Sequence, residues 1–230
     1  MTEDREMSVT EHLEELRGRL IVSIAAFLLG VAAAWSASAP ALSRIADSVG
    51  GLVFLAPTEA FLSRLKVAAL GGLLLSLPVI LYEAWAFTAC AMGGGLRRAV
   101  RVLLPLSYVL FLTGAGIAAF LVTPVAVRVL VGFGPPGVRP MLSVGTYVDF
   151  LAGLSLAFGA VFQIPLVLIV LNKAGVVRRE WLAGRREYVY LGAAVAAAVM
   201  TPGPDVFSQL ALAVPMLLLF ELALLAMRFI

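Results

Sequence analysis

Apolar runs of roughly twenty residues recur along this chain, and they constrain its fold more than any other feature. Residues 65–89 and 147–171 are two of them. As helices, such runs are long enough to cross about 30 Å of hydrocarbon. Backbone groups in hydrocarbon must pair within their own segment, so the runs are read as helices. Charge content agrees. Only 13% of the 230 residues are charged, against about 25% in soluble domains. The predicted fold class is therefore all-α, a polytopic integral membrane protein forming one domain over residues 1–230.

Six spans are expected. The first covers 20–37 and ends in S-A-S-A-P; the second covers 65–89 and contains Pro78. The third, 102–122, stops before Thr123-Pro124, and the fourth, 147–171, contains Pro165. The last two, 188–200 and 206–227, flank the tight turn T-P-G-P-D. Span 5 is short, about 20 Å of helix. Such a hairpin belongs where the bilayer is thin or where neighbouring helices shield it. No repeat relates the two halves, which weighs against an inverted-repeat transporter.

An even number of spans puts both termini on one side. That side collects the clusters Arg97, Arg98, Arg101 and Arg178, Arg179, Arg185, Arg186. The positive-inside rule then makes both termini cytoplasmic. The two outer loops, 38–64 and 123–146, are apolar and rich in Pro and Gly. They are expected to pack together as a cap.

Residues 1–19 form a lead whose last part reads T-E-H-L-E-E-L-R-G-R-L. Glu11, Glu14 and Glu15 share one helical face by their i, i+3, i+4 spacing. Leu13, Leu16 and Leu20 form the opposite stripe. Two readings fit: an amphipathic anchor on the membrane surface, or an acidic face for a cationic peptide. Anchors favour Lys and Arg toward anionic headgroups, yet residues 1–16 carry six acids and one Arg. Carboxylates bind guanidinium groups through paired hydrogen bonds. Both readings stay open on residues alone.

Polar positions inside the spans are few: Glu83, Gln163, Gln209 and Glu221, with Glu59, Lys66, Asp149 and Asp205 near the ends. Buried polar groups in membranes are costly, so they tend to be paired or functional. Asp205 reads as the N-cap of the last span, with Ser208 in its first turn. Glu83 and Glu221 lie toward cytoplasmic ends, where hydration is cheap. Gln163 precedes Ile164-Pro165, and its amide is placed to satisfy a carbonyl that the proline frees.

No enzyme constellation is present. His12 is the only histidine and Cys90 the only cysteine, which removes His-based triads, multi-His or Cys metal sites and internal disulfides. Ser107 and Ser155 have no His or Lys base beside them. A G-x-x-x-x-G-K-[ST] loop is missing, so neither nucleotide nor other cofactor is expected.

H-L-E-E-L-R-G-R-L, P-T-E-A-F, L-P-V-I-L-Y-E-A-W-A-F, F-G-A-V-F-Q-I-P and T-P-G-P-D-V-F-S-Q-L-A-L-A-V-P-M-L-L-L-F-E together resemble the TatC family, the multispanning component of the twin-arginine translocase. The stretches cover nearly the whole chain in order. The resemblance implies a signal-peptide receptor and core of a multimeric complex that exports folded proteins using the proton-motive force. It implies TatA-like and, where present, TatB-like single-span partners, twin-arginine signal peptides and membrane lipid as contacts, and no nucleic acid. Glu15 would meet the signal's arginines, Arg17 and Arg19 would shape that site beside Glu14 and Leu16, and Phe87 would lie near the entering peptide. Thr201 and Gln209 match a polar cluster that docks the partner helix. Gln163, Asp205, Glu59 and Lys66 are the remaining membrane-embedded or turn polar groups.

Three departures from the family pattern stand out, over four positions. Cys90 stands for a proline and Leu96 for a glutamate in the first cytoplasmic loop. Gln163 stands for a buried glutamate, and Gly203 looks like an insertion in the hairpin turn. A divergent member with altered signal specificity is one alternative, and a secondary transporter of a small solute is another. A transporter should show a closed polar pocket at the midplane. A translocase core should show a shallow concave face and an acidic groove at its rim.

Overall fold

The computed structural model describes residues 9–92, 96–135, 140–201, 203 and 205–229. Helices account for nearly all of them: α1 (Val9–Ser48), α2 (Pro57–Met92), α3 (Leu96–Ile117), a π-helical turn (Ala118–Val122), α4 (Thr123–Gly132), α5 (Val144–Val161), α6 (Ile164–Lys173), α7 (Arg179–Ala183), α8 (Arg186–Met200) and α9 (Val206–Ala226). Five segments are long and apolar enough to cross a membrane: Thr10–Ser48, Pro57–Ala89, Arg101–Gly132, Val144–Lys173 and Val206–Ala226. The expected short span is α8, whose 15 residues fall below that length.

Two span ends differ from expectation, both at prolines. The first helix does not stop at S-A-S-A-P; it continues through Pro40 to Ser48. Proline removes one ladder hydrogen bond and crowds the preceding turn. Here local polar contacts hold that region: the Ser38 hydroxyl donates to the Trp35 carbonyl at 2.7 Å and accepts from Arg64 Nε at 3.2 Å. The third helix likewise runs past Thr123-Pro124. Its backbone widens into the π-turn, with the Thr123 N–H bonded to the Ala118 carbonyl. The extra residue in that turn absorbs the proline at the start of α4.

The fourth span does break, between α5 and α6. Gln163 sits at that break, but its amide does not serve its own helix. Nε2 donates 3.0 Å to the carbonyl of Ser107 on α3. The Ser107 hydroxyl in turn accepts from Trp85 Nε1 of α2 at 2.7 Å. One serine therefore joins three segments, and its role is structural.

α5 lies at the centre. Leu154 and Phe158 are fully buried and pack with Ala118, Ala197 and Leu212. α1 packs antiparallel on α2 through two glycines. A Cβ on Gly72 would lie 2.4 Å from Val31 N, and one on Gly30 would lie 2.4 Å from the Gly72 carbonyl oxygen. Small residues are what allow membrane helices so close an approach.

The two connectors pair with each other as the expected cap requires, in shortened form. Most of 38–64 and 123–146 is helix, and the connectors pair as Val53 N–H to Leu142 O and Val144 N–H to Val53 O, each 3.0 Å. Glu59 clamps them. Its carboxylate accepts from the Leu55 and Gly145 amides, both at 2.6 Å, and from the Ser143 hydroxyl. Below it, Lys66 Nζ meets Asp149 at 2.6 Å. Glu59→Ala is expected to speed amide exchange at Leu55 and Gly145 by at least about tenfold, because local opening no longer breaks the clamp. Unchanged exchange by mass spectrometry at these amides would remove the clamp role.

Candidate functional site

The glycine contact sets a register. Arg19 lies eleven residues before Gly30, and Glu83 lies eleven residues after Gly72. In an antiparallel pair both are then about 16 Å from the crossing, on the same side. They meet there. Arg19 Nη1 donates to Glu83 Oε2 at 2.8 Å. From one turn away on α1, Glu15 Oε1 accepts from Arg19 Nε at 2.9 Å and from Nη2 at 2.6 Å. The Glu15 and Glu83 side chains are only 18% and 15% exposed, and Arg19 is 24% exposed. Two carboxylates thus share one guanidinium in a half-buried notch.

An aromatic lip adjoins the notch. Phe87 lies one turn beyond Glu83, and His12 lies one turn before Glu15. Their rings stack at 4.3 Å with 18° between planes. The arrangement offers carboxylate oxygens to a planar cation, with an apolar wall beside them. A guanidinium already in place shows that the notch fits one.

Among the site residues expected from sequence, Glu15, Arg19 and Phe87 come together. Glu14, Leu16 and Arg17 do not; they are exposed on other faces of α1. Glu83 and His12 join the site without having been singled out for it. The signal was present for Glu83, which stands four residues before Phe87 in E-A-W-A-F and so shares its helix face. The side chains of Cys90, Leu96, Arg97 and Arg98 lie outside the described residues.

The hairpin residues lie elsewhere. Asp205 caps α9 as expected, its Oδ1 accepting from the Ser208 amide at 2.7 Å. Thr201 is buried, and its hydroxyl donates to the Ala197 carbonyl of its own helix at 3.0 Å. Gln209 is half-buried, and Nε2 reaches across to the Ala194 carbonyl of α8 at 3.3 Å. Beside it Val206, Leu210 and Val214 are exposed in a stripe. Glu221 accepts from Arg186 Nε at 2.8 Å and from the Tyr190 hydroxyl at 2.7 Å. Glu59, Lys66 and Asp149 hold the connectors at the opposite end, and Gln163 holds α3. Among the described residues, no group of three or more His, Cys, Asp or Glu is arranged to hold a metal.

Comparison with known proteins gives the family. The family model for the Sec-independent protein translocase protein (TatC) matches residues 11–215. A TatC from Carboxydothermus hydrogenoformans is 36% identical, with 99% of this chain and 96% of that protein covered. The Aquifex aeolicus protein of the same name is 39% identical, over 95% and 93% of the two chains. The Escherichia coli K12 protein is 37% identical, over 99% and 90%. A solved crystal structure described as the twin arginine translocase receptor TatC is 38% identical and superposes with a TM-score of 0.83, covering 95% of this chain and 99% of that one.

Proposed function

This chain belongs to the TatC family of Sec-independent protein translocase proteins, and from that premise we propose that it receives twin-arginine signal peptides at the Glu15–Glu83 notch. As a family member it is a multi-pass membrane protein and the core component of the twin-arginine translocase. In the proposed arrangement both termini face the cytoplasm and α8 makes a sixth, short crossing. One observation carries the receptor role: two carboxylates converge on a single arginine guanidinium. An incoming guanidinium takes the place of Arg19 or shares the pair with it. The His12–Phe87 lip then contacts the apolar segment that follows the signal's arginines.

Partner helices of TatA or TatB type dock on the α8–α9 hairpin. Gln209 is the group offered there, since among the described residues its amide makes one long hydrogen bond and the residue is half-exposed. Thr201 supports the hairpin from within. The proton-motive force drives transport, with no cofactor on this chain.

The test is complementation. Expressed in a strain lacking its own TatC, this chain is expected to restore export of a folded reporter with an Arg-Arg signal. Export should fall at least about tenfold when the pair becomes Lys-Lys, since an ammonium cannot satisfy two carboxylate oxygens through a planar fork. Equal export of both signals would refute recognition at this notch.

A further inference from the structure

At the same end of the bundle, on the other side, α7 and the last turn of α9 enclose two adjoining hollows. One, about 470 Å³, is polar: Asn172, Gly175, Arg178, Arg179, Glu180 and Arg228 line it. The other, about 350 Å³, is half apolar and lined by Arg179, Arg186, Leu218, Glu221, Leu222 and Arg228. Arg179 and Arg228 border both. They therefore form a cationic ridge between a water-facing hollow and a leucine-lined groove.

The charges around that ridge do not cancel. Glu221 is engaged by Arg186 and Tyr190. Glu180 is the one other carboxylate lining either hollow, and it faces Arg178, Arg179 and Arg228. Arg179 is held in place: its Nε donates 3.1 Å to the Leu224 carbonyl. That carbonyl is in the last turn of α9, where helix carbonyls lack partners of their own. Among the described residues neither Nη group of Arg179 nor the Arg228 guanidinium has a hydrogen-bonding partner. Leu218, Leu222 and Leu225 continue the groove along α9, and they are 60%, 57% and 49% exposed. Trp181, half-exposed with Arg185 stacked 5.1 Å over it, marks the level of a membrane interface.

We propose that this ridge and groove form a binding site for one anionic phospholipid, its phosphate on Arg179 and Arg228 and an acyl chain along Leu218, Leu222 and Leu225. The amphipathic shape decides between phosphate sources. A free phosphate or a soluble acidic segment uses the ridge alone, whereas a lipid needs the leucine groove as well. Basic pockets between helices on the positively charged side of a membrane protein favour such headgroups. The proposal needs only a membrane-spanning chain, so it stands or falls apart from the receptor role.

The full chain is purified and placed in nanodiscs of phosphatidylcholine with 20% phosphatidylglycerol, and the lipids retained on release are counted by native mass spectrometry. Wild type is expected to retain one phosphatidylglycerol in preference to phosphatidylcholine. Each arginine near an anionic headgroup contributes about fivefold in affinity, so Arg179→Gln with Arg228→Gln should cut the preference roughly twenty-fivefold. Arg228→Gln alone leaves the helix cap intact and should cut it about fivefold. Leu222→Ser should weaken retention of the lipid with both arginines present, while 10 mM inorganic phosphate should displace little of it. Arg128→Gln, at the opposite end, should change nothing. An unchanged preference in the arginine variants would overturn the proposal. So would full displacement by inorganic phosphate or by a soluble polyglutamate peptide, or indifference to Leu222→Ser. Binding of the twin-arginine peptide should stay within twofold in every variant.

Discussion

Glu15→Lys is expected to abolish export of a twin-arginine reporter while the protein stays in the membrane at normal abundance. The substitution does two things at once. It removes the carboxylate that holds Arg19 through two hydrogen bonds, and it sets an ammonium beside that guanidinium in a site under a quarter exposed. Glu83 then faces two cations, where before it shared one guanidinium with a second carboxylate. A hydrogen bond to a charged group contributes about 1.5–3 kcal/mol, or ten- to hundredfold in affinity. Adding repulsion of the incoming arginines, peptide binding should fall at least about a hundredfold. Glu15→Gln keeps shape and removes charge, and should lose about tenfold. The measurement is crosslinking of a labelled signal peptide to purified protein, with reporter export alongside. Wild-type crosslinking by Glu15→Lys would eliminate the notch as the receptor site.

Gly72→Val should have the largest effect on stability. Its new Cβ would sit 2.4 Å from the backbone nitrogen of Val31 and 2.6 Å from its Cα. Backbone cannot rotate away as a side chain can, so α1 and α2 must part. Overpacking of this kind costs about 1–3 kcal/mol and sometimes more. At this chain length that lowers the melting temperature by about 2–12 °C in detergent. The consequence reaches the notch, because the same helix contact sets Arg19 opposite Glu83. Gly72→Val should therefore weaken signal-peptide binding although Gly72 is eleven residues from Glu83. Gly116→Val is the control: nothing lies within 4 Å of its Cβ position, and it should melt within about 1 °C of wild type. Equal melting of the two variants would show that the glycine crossing is not close-packed.

The sequence carried whatever depends on near neighbours. Apolar runs marked the membrane helices, and Asp205 with Ser208 three residues later marked a cap that the structure contains. Proline was the weak guide. At Pro40 and Pro124 the helix continues, because Ser38 with Arg64 holds one region and a π-turn absorbs the other. Pro165 does coincide with a break. What separates the three lies in contacts that a proline count does not register. The site was half legible. Glu15, Arg19 and Phe87 stood out through family resemblance, but Glu83 looked like an inexpensive carboxylate near a helix end. Its partner is 64 residues away, and no spacing rule reaches so far. For the same reason Glu59 revealed little about the clamp, since Gly145 is 86 residues downstream. Gln163 looked local and proved long-range, its target 56 residues upstream.

The serine at 107 has a bearing on assembly during synthesis. Its hydroxyl can receive the Trp85 indole once α2 and α3 have both left the ribosome. Its carbonyl waits for an amide that emerges 56 residues later. Made in chain order, the hairpin of α2 and α3 can close its own bond before the tie to Gln163 becomes available. A truncation ending before residue 163 should therefore keep the bond that ties α3 to α2 and lose only the tie between α3 and the break at Gln163.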